Sequence, residues 1–312
     1  MLIYLKKTII LIMIFNNLNI KMLLLIMNKY LLVKSGIGNQ LIPLISLLRM
    51  CDKYDYKLNV IFNKIVAYNF TQVDFNSLSI PDLIEIDYSY NIVSGFPIHC
   101  VEKNCKWSAE YNTIRSNEEN DIFYFNVCHL FGDEDDNVKL YSPFPRKKII
   151  ENIFFSDLKK YVKLIKPVKV IKEKIDIYVD KLNKIDNKVL GLHVRTLDGG
   201  FIEMYNEDNL FNYIDNFLEK NKNWKIYIST DNKNTEDKLI NKYNDFILKL
   251  DNPFGNNYGD KFCDNNYGLM NSMYEIFILS KCDNFIGSAG SSFTLLAWLL
   301  SNNSILEFWN EE

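Results

Sequence analysis

This chain of 312 residues predicts an α/β fold built on doubly wound parallel sheets, and three observations carry that prediction. Near the start, residues 30–33 (Tyr-Leu-Leu-Val) form a short apolar strand. It enters the turn Gly36-Ile37-Gly38, a helical pattern over residues 41–51 and a second strand over residues 57–62. In the second half, short apolar runs alternate with stretches of helical length, the pattern of parallel strands joined by crossover helices. Between them lies Val189-Leu190-Gly191-Leu192-His193-Val194, which reads as a buried strand and stops abruptly at Arg195.

The elements follow in order. Residues 1–27 hold two apolar runs (8–15 and 22–27) separated by Asn16, Asn17, Asn19 and Lys21. A membrane-spanning helix needs about 20 apolar residues with few breaks, and these runs are too short and too broken. A signal-like segment remains open, although no small-residue cleavage site follows. So does a true start at Met22 or Met27, since the first convincing strand begins just after. Residues 28–182 are read as one domain and 183–312 as a second. Residues 63–150 mix aromatic and polar side chains without clear periodicity, and Asp133 to Asp136 reads as an acidic loop. Residues 158–182 have helical spacing interrupted at Pro167, as in a helix pair or kinked linker. Beyond it the expected strands are 189–194, 225–229, 246–250, 284–286 and 304–308. The expected helices are 207–219, 234–242, 267–281 and 293–300.

Bulk properties narrow the function. At 48% hydrophobic and 14% aromatic, the chain supports a sizeable core and excludes global disorder. A net charge of −3 and a pI near 5.8 argue against broad nucleic-acid binding. The six cysteines (Cys51, Cys100, Cys105, Cys128, Cys263, Cys282) contain no Cys-x-x-Cys pair and no zinc-ligand spacing. Free thiols in a reducing compartment are the expectation, with a Cys100–Cys105 disulfide as the alternative. The cytoplasm is the expected location. Membrane anchoring or the secretory pathway applies if residues 1–27 are retained.

Three segments carry chemistry. The first is His193-Val194-Arg195-Thr196-Leu197-Asp198. Ligands of doubly wound sheets sit outside the carboxyl ends of the strands, and a guanidinium there offers a fork that matches two phosphate oxygens. The plain structural reading is an ion pair with Asp198 or another carboxylate. His193 is either a hydrogen-bonded core residue or a donor to a nucleotide. The second is Gly36-Ile37-Gly38-Asn39-Gln40. Its glycines would let a ligand approach the backbone at a helix N-terminus, and Asn39 can donate or accept beside a reacting group. Tight-turn packing and a helix cap are the ordinary alternatives. The third runs from Glu275 to Thr294. Ser291, Ser292 and the amides of the helix starting near Phe293 would make an anion site, or Ser291 simply caps that helix. A carboxylate at Glu275 could accept the N1–H and amino hydrogens of guanine, or lie on a solvated helix face. Asp231, ending another strand, either positions Arg195 or caps the next helix. Glu203, on the loop leaving the Arg195 strand, could take a proton from an acceptor hydroxyl or face solvent.

Together the three segments resemble the fucosyltransferase superfamily that includes protein O-fucosyltransferases and the α1,2- and α1,6-fucosyltransferases. The Gly-x-Gly-Asn-Gln loop, the His-x-Arg-x-x-Asp motif and the run from Leu279 to Gly287 followed by Ser291-Ser292-Phe293-Thr294 occur in that family's order. The resemblance implies a GT-B fold: two Rossmann-like doubly wound domains facing a cleft, acceptor on the N-terminal side and sugar nucleotide on the C-terminal side. It implies GDP-fucose as donor, a glycan or protein hydroxyl as acceptor, inversion at the anomeric carbon and no required metal or other cofactor. By matched position Arg195 would hold the β-phosphate, and Ser291, Ser292 and Phe293 the diphosphate and nucleotide. His193, Asp198, Asp231, Gly36 and Gly38 complete the donor side, and Glu275 stands where the family carries a guanine-reading Asp. Glu203 aligns with the proposed base of the α1,6 branch, and Asn39 with the sugar-proximal Asn of the protein O-fucosyltransferases. Thr196 replaces an Arg common in the α1,2 and α1,6 branches. A GT-B transferase for another nucleotide sugar and a catalytically inert sugar-nucleotide-binding protein are the alternatives.

Overall fold

A computed structural model describes residues 28–33, 37–54, 57–62, 82–87, 91–92, 105–108, 113–116, 121–125, 130–131, 140–141, 149–150, 153–196, 205–248, 253–254 and 266–310. In the N-terminal half, strand β1 (Asn28–Val33) leads to helix α1 (Ile37–Tyr54) and β2 (Lys57–Phe62). Short strands follow: β3 (Ile84–Ile86), β4 (Asn91–Ile92), β5 (Cys105–Ser108), β6 (Thr113–Ser116) and β7 (Asp121–Phe125). Then come β8 (Leu130–Phe131), β9 (Leu140–Tyr141) and β10 (Ile149–Ile150). The principal sheet here has the order β4-β2-β1-β7, with every pairing parallel.

Helix α2 (Ile153–Val162), strand β11 (Ile165–Pro167) and helix α3 (Lys169–Leu182) join the halves. The expected helix interruption at Pro167 is thus a short strand, paired antiparallel with β3 through Ile165 opposite Ile86. Pro167 sits at its end, where the missing N–H costs little. The C-terminal half runs β12 (Val189–Val194), α4 (Glu207–Lys220), β13 (Lys225–Thr230), α5 (Lys233–Tyr243) and β14 (Ile247–Leu248). It ends with α6 (Asn266–Leu279), β15 (Asn284–Gly287), α7 (Ser292–Leu300) and β16 (Ile305–Phe308). These match the expected elements to within one or two residues at most ends.

The C-terminal sheet is ordered β10-β16-β15-β12-β13-β14. Its last five strands are parallel, and β10 is added antiparallel at the edge of β16. Numbered by chain order, those five read 3-2-1-4-5, the Rossmann winding, and the N-terminal sheet reads 3-2-1-4 by the same count. In each sheet the order reverses beside its first strand, which opens a crevice at the carboxyl ends. One crevice lies between β1 and β7, the other between β12 and β15. β12 is buried along its whole length, because its six residues carry helices on both faces.

A continuous apolar core joins the halves. Leu41, Ile45 and Leu48 of α1, Leu158 and Val162 of α2, and Leu295, Leu299 and Trp298 of α7 belong to one cluster. Lys159 of α2 is buried among them. Its ammonium donates to the carbonyls of Ser301 and Asn303, at the C-terminal end of α7. It also lies 4.4 Å from the Trp298 ring centroid. A cation at a helix C-terminus offsets the negative end of the helix dipole. Cys51 and Cys282 are buried free thiols; the other cysteine side chains lie outside the described residues. No described helix is long and apolar enough to cross a membrane, and residues 1–27 lie outside the described set.

Candidate functional site

Arg195 leaves β12 at the C-terminal switch point, and Ser288 leaves β15 at the same place. The two strand ends are stitched together by hydrogen bonds. The Arg195 backbone N–H donates to Ser288 Oγ at 2.8 Å, and Ser288 Oγ donates to the His193 carbonyl at 3.3 Å. Arg195 Nε lies 3.2 Å from Asp231 Oδ2, with the arginine side chain 17% exposed and the aspartate 6%. Asp231 also accepts the Thr196 N–H at 3.0 Å and the Thr196 hydroxyl at 3.2 Å through Oδ1. Of the two sequence readings, Asp231 therefore positions Arg195. Helix α5 is capped instead by Asn232, whose side chain accepts from Asn234 and Thr235 N–H.

After Ser288 the chain turns through Gly290, whose φ of 82° is a left-handed conformation that glycine adopts without strain. Ser291 then caps α7, its side chain accepting the Thr294 N–H. The cap and an anion site are compatible, since the first turn presents several N–H groups that lack intrahelical partners. Phe293 stacks on His193, with ring centroids 4.6 Å apart and planes at 18°. His193 Nδ1 is 2.7 Å from Thr294 Oγ1. Burial first, and then the Arg195 charge, push the imidazole down to about 3. It is therefore neutral at physiological pH.

Residues 37–40 of the Gly-x-Gly-Asn-Gln segment reach this turn from the other half of the chain. Helix α1 begins at Ile37, four residues earlier than the expected start at Leu41. Gly38, Asn39 and Gln40 thus occupy its first turn, above the switch point of the N-terminal sheet. A Cβ on Gly38 would stand 2.7 Å from Ser292 Oγ, 2.8 Å from its carbonyl carbon and 2.9 Å from its carbonyl oxygen. Glycine is required because the two helix N-termini approach backbone to backbone. Asn39 is partly exposed beside this contact and Gln40 is buried.

Glu275, on α6, is held by the sheet and is not on a solvated face. Ser229 Oγ donates to Oε2 at 2.7 Å and Asn271 Nδ2 to Oε1 at 2.9 Å. Ser229 is the β13 residue opposite His193, which places Glu275 one strand from the Arg195 site. Burial pushes its carboxyl up to about 7, against the lowering effect of the Ser229 hydrogen bond. Gly36, Asp198 and Glu203 lie outside the described residues. Among the described residues no cluster of three or more His, Cys, Asp and Glu side chains could hold a metal.

Sequence reasoning missed Ser288 as the link between the strands, Thr294 as the partner of His193, and Trp309 and Asn310, whose contacts are described below. Ser288 had a signal, its place directly after β15. The others are defined by contacts across the sheet that local pattern does not carry.

No protein-family model matches the chain, and no curated protein does. Among solved structures, NodZ α1,6-fucosyltransferase soaked with GDP-fucose is 14% identical, with a TM-score of 0.54 over 88% of this chain and 93% of that one. A mutant of Arabidopsis thaliana FUT1 in complex with GDP is also 14% identical, at 0.55 over 90% and 70%. POFUT1 in complex with GDP-fucose is 10% identical, at 0.51 over 90% and 98%. At such identities the likeness concerns the fold. The two Rossmann-wound sheets, with their switch points brought together at Gly38 and Ser292, give this chain the GT-B fold of those fucosyltransferases.

Proposed function

We propose that the protein is a fucosyltransferase that moves fucose from GDP-fucose to a hydroxyl of a glycan or protein, with inversion and without a required metal. One observation carries the reading: the three segments that resemble the superfamily meet at one place. Arg195 is bonded to Ser288 across one switch point, and Gly38 is pressed on Ser292 from the other. The ligands present in the similar structures, GDP and GDP-fucose, support the same reading.

The mechanism follows from where charge develops. Breaking the C1–O bond leaves negative charge on the GDP diphosphate. Arg195, held at a fixed angle by Asp231, supplies a preorganised cation there, and the Ser292 and Phe293 amides add the positive end of the α7 dipole. Neutral His193 contributes a hydrogen-bonding group rather than a second cation. Glu275, ionised, accepts from the N1–H and amino group of guanine. Asn39 stands beside the fucose. By its matched position Glu203 is the proposed base, which takes the acceptor hydroxyl proton as the oxygen attacks C1 from the face opposite the leaving group. The test is calorimetric binding of GDP, GDP-fucose, GDP-mannose and UDP in EDTA, followed by donor turnover with an acceptor panel. Selective binding of GDP and GDP-fucose with fucosyl transfer supports the reading. Preference for UDP or GDP-mannose replaces the donor, and binding without transfer or donor hydrolysis makes the protein an inert binder.

A further inference from the structure

We infer that Trp309 and Asn310 are positioning residues for the turn at residues 288–292, and through it for the phosphates of a bound nucleotide. The inference rests on the reading of that turn as the diphosphate site. Both residues lie just past β16, whose ladder with β15 pairs Ile286 with Glu307 and Gly287 with Phe308. The pairing continues past the strand, since the Trp309 N–H donates to the Gly287 carbonyl at 3.2 Å. Asn310 then reaches into the turn itself, its Oδ1 accepting the Ala289 N–H at 2.8 Å. That bond fixes the residue immediately before Gly290, where the chain takes its left-handed conformation to enter the Ser291 cap.

Trp309 acts on the other strand end. Its indole Nε1–H donates to the His193 carbonyl at 3.2 Å, the same oxygen that accepts from Ser288 Oγ. The side chain is 2% exposed and packs edge-on against Tyr205, with centroids 5.9 Å apart. One pair of adjacent residues therefore grips both sides of the switch point, the Arg195 strand through His193 and the serine turn through Ala289. Neither residue has to touch a ligand to set the separation of Arg195 from the α7 N-terminus. A misplacement on the order of 1 Å at such a site is enough to cost much of its function.

Wild type, Asn310→Ala and Trp309→Phe are compared by titration with GDP and with guanosine, alongside thermal denaturation. Guanosine shares the base and sugar but lacks the phosphates that the turn would hold. Loss of one hydrogen bond at the turn is expected to weaken GDP binding about five- to tenfold, with guanosine affinity changed less than about twofold. The ratio of the two affinities is the readout that a merely structural role would leave unmoved. Trp309→Phe keeps an aromatic side chain and removes the Nε1–H with the five-membered ring, so it gives the same readout should Asn310→Ala fail to fold. Equal GDP affinity in wild type and folded variants, or parallel loss of GDP and guanosine, overturns the inference alone. Absence of GDP binding by folded wild type overturns the donor-site reading and the inference with it.

Discussion

Arg195 is held by three residues: Asp231 through its guanidinium, Ser288 through its backbone N–H, and Thr196 through the shared Asp231 carboxylate. Replacing it with alanine leaves Asp231 its two bonds from Thr196, so the fold is expected to survive. Transfer is expected to fall by about 10²–10³, the usual consequence of deleting one preorganised charge-stabilising donor; steady-state kinetics beside a melting curve checks both. Glu275 makes a second prediction. Its carboxyl takes up its proton near 7 when folded and near 4.5 in the ordinary state, so between these values the folded form binds more protons than the unfolded. Its contribution to stability is therefore greatest below pH 4.5 and declines as pH rises to about 7, by up to about 3 kcal/mol. His193 acts in the opposite sense between about 3 and 6.5, so the comparison of wild type with Glu275→Gln isolates the effect. The difference in melting temperature between the two should drift in favour of the Gln variant from pH 5 to pH 7. A constant difference contradicts the assignment.

At the scale of elements, the approach of α1 to α7 is the tightest constraint on the site. Gly38→Ala drives a methyl against Ser292 Oγ and into the Ser292 carbonyl, and rotating the hydroxyl away does not relieve the backbone contact. Overpacking of this kind costs about 1–3 kcal/mol. Denaturant melts should show that loss together with weaker nucleotide binding, whereas an unchanged midpoint contradicts the contact. The first strand–helix–strand unit and the C-terminal elements were legible in the sequence, whereas the short strands β3 to β10, within residues 63–150, were not. β12 stands out because its apolar residues sit on both faces. α4 and α5 stand out because their apolar residues recur at helical spacing, whereas their caps, Asn206 and Asn232, emerge only in the structure. Two were misread for physical reasons. The early start of α1 depends on packing against Ser292, more than 250 positions away. β11 exists because β3 supplies a pairing edge some 80 positions earlier. Of the candidate site, the sequence offers the residue types Arg195, Ser291, Ser292 and Glu275. Its assembly by Ser288, Trp309 and Asn310 was not legible, since those bonds cross strands that no local period relates.

Over the whole molecule, two Rossmann-wound sheets are joined by one apolar core and not by a flexible linker alone. Lys159, buried between α2 and α7, is part of that joint. A single cooperative transition is expected in scanning calorimetry, and two separated transitions contradict a shared core. Lys159→Met is expected to lower the midpoint by removing the cation from the α7 carboxyl end and leaving the Ser301 and Asn303 carbonyls without its bonds; an unchanged midpoint contradicts that role. The joint brings the first turn of α1, at Gly38, onto Ser292 at the start of α7. The most direct test of the account is titration of GDP-fucose into the wild-type chain and the Arg195→Ala variant, in EDTA, with both shown to be folded. The account predicts saturable binding by wild type and binding weakened at least tenfold by the variant. Equal affinity in the two, or no binding by folded wild type, contradicts it.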